Sequence, residues 1–177
     1  MLLPPPPPTG LHAESGHHAM RFVLQMFGLD RYAEDFIEQG FDDADWVFSM
    51  DDDLVRQMLG HVGMKDGHSM KFQHAYYTEK SRHEPSGPRG QIWVYGMQPP
   101  AWRAWDGALH MHQMHTLLKA MGLVAYKDRF EEMGYDDVRF LRYMSEEQVE
   151  YMLAGVGMKI SHAIRFRAKL KAGILGE

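Results

Sequence analysis

The chain has no cysteine among its 177 residues. Disulfides, thiolate metal ligands and a cysteine nucleophile are therefore excluded. The absence fits a reducing compartment, although an extracellular domain can also lack cysteine. Long apolar runs are missing too. No stretch approaches the roughly 18 apolar residues that a membrane span needs, so membrane insertion is not expected. Neither sign of charge is in large excess. A net charge of -5 neither demands nor forbids any class of partner. The opening MLLPPPPPTG has no basic segment and only two apolar residues between Met1 and the prolines, so it is not expected to act as a secretory signal. An intracellular, cytoplasmic protein is expected, with the nucleus left open.

Motifs that carry chemistry are equally scarce. No serine sits in a Gly-x-Ser-x-Gly frame. HVGMKDGHS has glycines and a lysine, but not the spacing of a phosphate-binding loop. DDADW and DDD supply carboxylates, yet paired acids do acid–base work only where their surroundings drive their pKa values apart. Runs at helix starts are solvated and near-equivalent. HMHQMHTLL places His112 and His115 one helical turn apart, with His110 beside them. No carboxylate of defined spacing and no thiolate joins them, so fortuitous exposure is favoured over a metal site. His17-His18 is a weaker signal still. No enzymatic activity, cofactor or metal is expected.

What is present reads as a globular chain, 45% hydrophobic and 24% charged. Residues 1–11 hold the run Pro4 to Pro8, an extended and stiff leader, with a ligand role for proline-binding domains as an alternative. Residues 78–109 hold EPSGPRG and MQPPAWRAWDG and read as a linker by turn content. QIWVYGM, Trp102 and Trp105 make that linker aromatic. They are expected to pack on a neighbouring domain, with docking of an unrelated protein as the alternative.

The two flanking regions, 12–77 and 110–173, repeat each other at a shift of 94 residues without a gap. Gly28-Leu29 falls on Gly122-Leu123, Tyr32 on Tyr126, Phe36 on Phe130 and Gly40 on Gly134. VGMKDGHSMKF from Val62 recurs as VGMKISHAIRF from Val156. Such self-similarity marks a duplicated structural unit. Each copy reads as a string of short helices. The spacing predicts a first helix from near Glu14 to Phe27, closed by Gly28. Tyr32 and Phe36 share a face one turn apart. DDADWVF predicts a short helix with Trp46 inward, with Phe140 in its place in the second copy. Asp51 is a predicted N-cap, and SEEQ from Ser145 predicts a capping box. Val55, Met58 and Leu59 form one buried face. Last helices are predicted over 67–77 and 161–171. The fold class expected is all-α, two five-helix bundles in tandem.

This order of helices resembles the sterile alpha motif (SAM) domain family. The resemblance rests on MFGLDRYAEDFIEQGFDD and KAMGLVAYKDRFEEMGYDD, an acid-capped fourth helix, and the turns Val62-Gly63-Met64 with Gly67-His68 and Val156-Gly157-Met158 with Ser161-His162. It covers about two thirds of the chain; the turn is one residue shorter than the family's commonest form, and the second copy lacks the glycine. SAM domains commonly pair head to tail, the middle of one against the start of another's last helix, acid against base. The resemblance therefore implies an adaptor or scaffold that associates with SAM domains of its own or other proteins. It places an acidic face at Asp42, Asp43, Asp45, Asp51, Asp52 and Asp53, and at Asp136, Asp137, Glu146 and Glu147. It places a basic face at Lys65, His68 and Lys71, and at Lys159, His162 and Arg165.

Charge counts agree in direction. Residues 20–77 carry five Lys/Arg against eleven Asp/Glu, and residues 114–172 carry ten against eight. Complementary potentials set orientation and on-rate more than raw affinity. The bland alternative is that the aspartates only cap helices and the lysines only complement helix dipoles. His68 and His162 read first as packing and hydrogen-bonding residues. RNA binding through Lys159, Arg165, Arg167, Lys169 and Lys171 is the rival function.

Overall fold

Short apolar segments punctuated by glycine and capped by aspartate or serine dictate helices of modest length, and the computed structural model places them so. It describes residues 13–82 and 110–172. The leader, and the linker from residue 83 with Trp102 and Trp105, lie outside the described residues. Nine α-helices are present among the described residues, without a strand: α1 Ala13–Met26, α2 Ala33–Glu38, α3 Ala44–Ser49, α4 Asp52–His61, α5 Asp66–Arg82, α6 His110–Ala120, α7 Lys127–Glu132, α8 Glu146–Gly155 and α9 Ile160–Lys171. Short 3-10 helices at Asp30–Tyr32, Val124–Tyr126 and Phe140–Tyr143 complete the set. Among the described residues, no helix is long and apolar enough to cross a membrane.

The chain divides into two compact units. Of the described residues, the first holds those up to Met64 and resumes at Ser69; the second holds Lys65–His68 together with residues 110–172. The first four residues of the Lys65 segment thus belong with the second unit, although the rest of α5 belongs with the first.

The core of the first unit is aromatic. Phe27, Phe36, Phe72 and Tyr76 are fully buried. Phe72 meets Phe27 edge-on with ring centres 5.6 Å apart, Phe36 at 5.8 Å and Tyr76 at 5.9 Å. The Tyr76 hydroxyl lies 3.1 Å from the Val47 carbonyl and 3.0 Å from that of Met50, so the one polar atom of this ring has acceptors. Burial pushes the Tyr76 phenol well above its ordinary pKa.

The second unit repeats part of this geometry. Phe130 and Phe166 stand 5.7 Å apart at 36°, against 5.8 Å and 38° for the equivalent Phe36 and Phe72. Phe130 and Tyr135 stand 6.4 Å apart at 71°, against 6.3 Å and 69° for Phe36 and Phe41. The 94-residue repeat is therefore a repeat of core packing as well as of letters.

Caps fall where the sequence places them. Asp51 accepts from the Leu54 amide at 2.9 Å, and Ser145 and Gln148 form the reciprocal capping box. Gly63 and Gly157 end α4 and α8 with φ of 68° and 71°. That left-handed conformation suits glycine and lets the Met64 and Met158 amides reach back to Leu59 and Leu153.

Two expectations are corrected. Trp46 is only half-buried, stacked on Phe41 at 5.8 Å, and its neighbours Val47 and Phe48 enter the core instead. A six-residue helix with three consecutive apolar residues cannot bury all of them. In the second unit the matching segment is the short 3-10 helix Phe140–Tyr143, with Phe140 and Leu141 buried. Finally, α5 runs to Arg82, five residues past the expected end at Tyr77. The Lys80 ammonium donates to the Met50 carbonyl at 2.6 Å and lies over the Tyr76 ring, which holds this extension down.

Candidate protein-interaction surface

The acidic residues sort by what they touch. Asp43 accepts from the Trp46 amide at 3.1 Å and caps α3; its equivalent Asp137 accepts from the Arg139 amide at 3.1 Å. With Asp51, these three carboxylates hold local backbone, as the capping alternative has it. Asp52 accepts from the Tyr77 hydroxyl at 2.9 Å. Burial first, and then this carboxylate, push the Tyr77 phenol up to about 12. Asp53 lies 3.5 Å from Arg56, Glu146 lies 3.3 Å from Lys171, and Glu147 is exposed. Asp42 and Asp45 are half-buried.

The basic residues sort similarly. Lys71 is buried, its ammonium 3.4 Å from where a Cβ on Gly28 would stand. Its equivalent Arg165 donates to the Met121 carbonyl at 3.1 Å. Both cations sit at the C-terminal end of the first helix of their copy, α1 or α6, where the orphan carbonyls carry negative charge. His162 shares a hydrogen bond of 2.9 Å with the Tyr126 hydroxyl, which also accepts from the Lys159 amide at 3.2 Å. The two histidines that the repeat makes equivalent therefore work differently.

His68 is 2% exposed and pairs with Asp136, itself 7% exposed, at 3.2 Å. Three further contacts of the second unit surround this pair. The Gly67 amide donates to the Met133 carbonyl at 2.8 Å. The Lys65 ammonium donates to the Glu131 carbonyl at 3.1 Å. Gly134, with φ of 78°, faces Gly67 so closely that a Cβ on Gly67 would stand 2.4 Å from the Gly134 carbonyl oxygen. A Cβ on Gly134 would stand 2.9 Å from the Lys65 Cβ and 3.1 Å from the His68 ring. Burial pushes the Tyr135 phenol beside this turn upward, and the nearby Asp66 carboxylate adds to it.

The segment Lys65–His68 thus lies against the segment Glu131–Asp136, with backbone, glycine and buried polar contacts together. A buried His–Asp pair is tolerated only where each satisfies the other. Of the sequence-predicted residues, the structure brings together Lys65, His68 and Asp136. Arg165, Asp43 and Asp51 bond to backbone of their own unit instead. Sequence reasoning missed Gly67 and Gly134 as contact residues. Their signal was a comparison between copies: glycine recurs at 40 and 134, whereas Gly67 becomes Ser161.

Among the described residues, no group of three or more His, Cys, Asp or Glu side chains is placed to hold a metal ion. The side chains of His110 and His112 lie outside those described. Comparison with family models, with curated proteins and with solved structures gives no match.

Proposed function

We propose that this chain is a tandem of two SAM-like five-helix bundles that acts as an adaptor or scaffold by head-to-tail association. Its interaction chemistry is the start of a last helix set against the mid-domain turn of another bundle. One observation carries the reading: Lys65–His68, the start of the first copy's last helix, rests on Glu131–Asp136, the mid-domain turn of the second copy's sequence. One of these contacts, His68 with Asp136, sets base against acid at positions that the family resemblance implies. The repeated aromatic spacing around Phe36 and Phe130 supports the duplicated bundle.

The basic face of α9 favours this reading over RNA. Arg165, Arg167 and Lys171 are engaged with the Met121 carbonyl, Glu150 and Glu146, and phosphates would have to displace those partners.

A double-mutant cycle between His68 and Asp136 tests the pairing in the full chain. His68→Ala, Asp136→Ala and the double variant are unfolded in urea. The expected coupling is about 0.5–3 kcal/mol, as for buried residues that share one hydrogen bond. Additive single effects would remove the pair from the account.

A further inference from the structure

The repeat supplies a second turn of the same build. Ile37–Asp43 aligns with Glu131–Asp137 and shares Glu38, Gly40, Asp42 and Asp43 with it, and Gly40 has φ of 80° where Gly134 has 78°. Gly134 is hemmed in by Lys65 and His68, whereas a Cβ on Gly40 would meet nothing within 4 Å among the described residues. The turn before α3 is thus built like an occupied one and is open at its glycine.

The obvious occupant would be the start of α9 from a second copy of this chain, and it does not fit. Gly67 and Ser161 are both the second residue of their helix, α5 and α9. At Gly67 a Cβ would stand 2.4 Å from a backbone oxygen and 2.6 Å from its carbon, atoms that cannot swing aside as a flexible side chain can. Ser161 carries that Cβ. The first residue of the helix differs as well: Asp66 becomes Ile160, which is 80% exposed.

Resting on the head-to-tail reading above, we propose that the Gly40 turn is a docking site for a helix start of another protein whose second residue is glycine, with a basic residue two positions before it. Ser161 bars α9 of a second copy from that site, and the start of α5 is already seated on Glu131–Asp136. The seat is heterotypic by sterics, and the chain caps its own growth. Charge complementarity comes from Asp42, the equivalent of Asp136, beneath the incoming lysine and histidine.

The test gives α9 the opening of α5. Ile160→Asp with Ser161→Gly turns Lys-Ile-Ser-His into Lys-Asp-Gly-His, so a second copy of the chain becomes the probe. Light scattering over a concentration series should show one constant mass for the wild type. The double variant should at least double its weight-average mass as concentration rises, because a head-to-tail contact joins each copy to the next, in a ring or an open filament. Adding Asp42→Lys should restore a constant mass. A double variant of unchanged mass overturns the proposal, as does association that survives Asp42→Lys. So does a wild type whose mass rises with concentration and is held constant by Asp42→Lys. Hydrogen exchange at the Gly67 amide separates the two levels of failure. A protected Gly67 amide in a double variant of unchanged mass sinks only the Gly40 site; an unprotected one in the wild type sinks the head-to-tail reading.

Discussion

Phe72→Ala lowers the stability of the first unit by about 3–5 kcal/mol, the usual loss for deleting a buried aromatic ring. Phe72 is fully buried on α5 and touches Phe27, Phe36 and Tyr76, rings from the turn after α1, from α2 and from its own helix. Truncation leaves a cavity bounded by three other rings, and none of them can turn into it without leaving its own partners. Whole domains are stable by only about 5–15 kcal/mol, so much of the reserve would go. Urea unfolding followed at amide resonances of the first unit measures the effect. A loss below about 1 kcal/mol, the average for any substitution, would contradict the described core.

Gly134→Ala is expected to cost more than Gly40→Ala, although the two glycines share one conformation. Both have φ near 80°, so each alanine bears the penalty of about 1–2 kcal/mol for left-handed backbone. Gly40 adds nothing to that, since its new methyl would meet none of the described residues within 4 Å. Gly134 adds a methyl 2.9 Å from the Lys65 Cβ and 3.1 Å from the His68 ring. Overpacking of this kind adds about 1–3 kcal/mol. Subtracting the two losses, measured by urea unfolding of the same chain, removes the backbone penalty and isolates the contact. Equal losses would mean that Lys65 and His68 do not press on Gly134.

Much of the fold was legible because it depends on short-range chemistry. Asp51, Ser145 and Gln148 cap by reaching three residues away, and Gly63 and Gly157 end helices by their own conformation. Val55, Met58 and Leu59 recur at helical spacing and are buried. What was not legible depends on longer range. Which of Trp46, Val47 and Phe48 enters the core is decided by the rings already there, not by the period. The extension of α5 from Thr78 to Arg82 depends on Lys80 finding the Met50 carbonyl thirty residues back in the chain. Nothing in the local pattern shows that.

The candidate site divides the same way. Acid in the middle and base at the last helix could be read from the sequence, but not which charges were already committed. Lys71 and Arg165 look like surface cations, but Lys71 is buried and Arg165 donates to the Met121 carbonyl. His68 and His162 look equivalent, yet one pairs with Asp136 and the other with Tyr126. Gly67 and Gly134 are far apart in the chain, and only their distance in space reveals them as a contact. The informative letter was the change from Gly67 to Ser161.

The central claim is that the start of α5 rests on the turn at Met133, and hydrogen exchange at the Gly67 amide tests it most directly. Gly67 is the second residue of its helix, so its amide is one of the orphan donors that no intrahelical carbonyl can satisfy. Its protection therefore reports the 2.8 Å bond to the Met133 carbonyl alone. Slow exchange at Gly67, lost in the Gly134→Ala variant, is the expected result. Exchange at the rate of an unstructured amide in the wild type would contradict it.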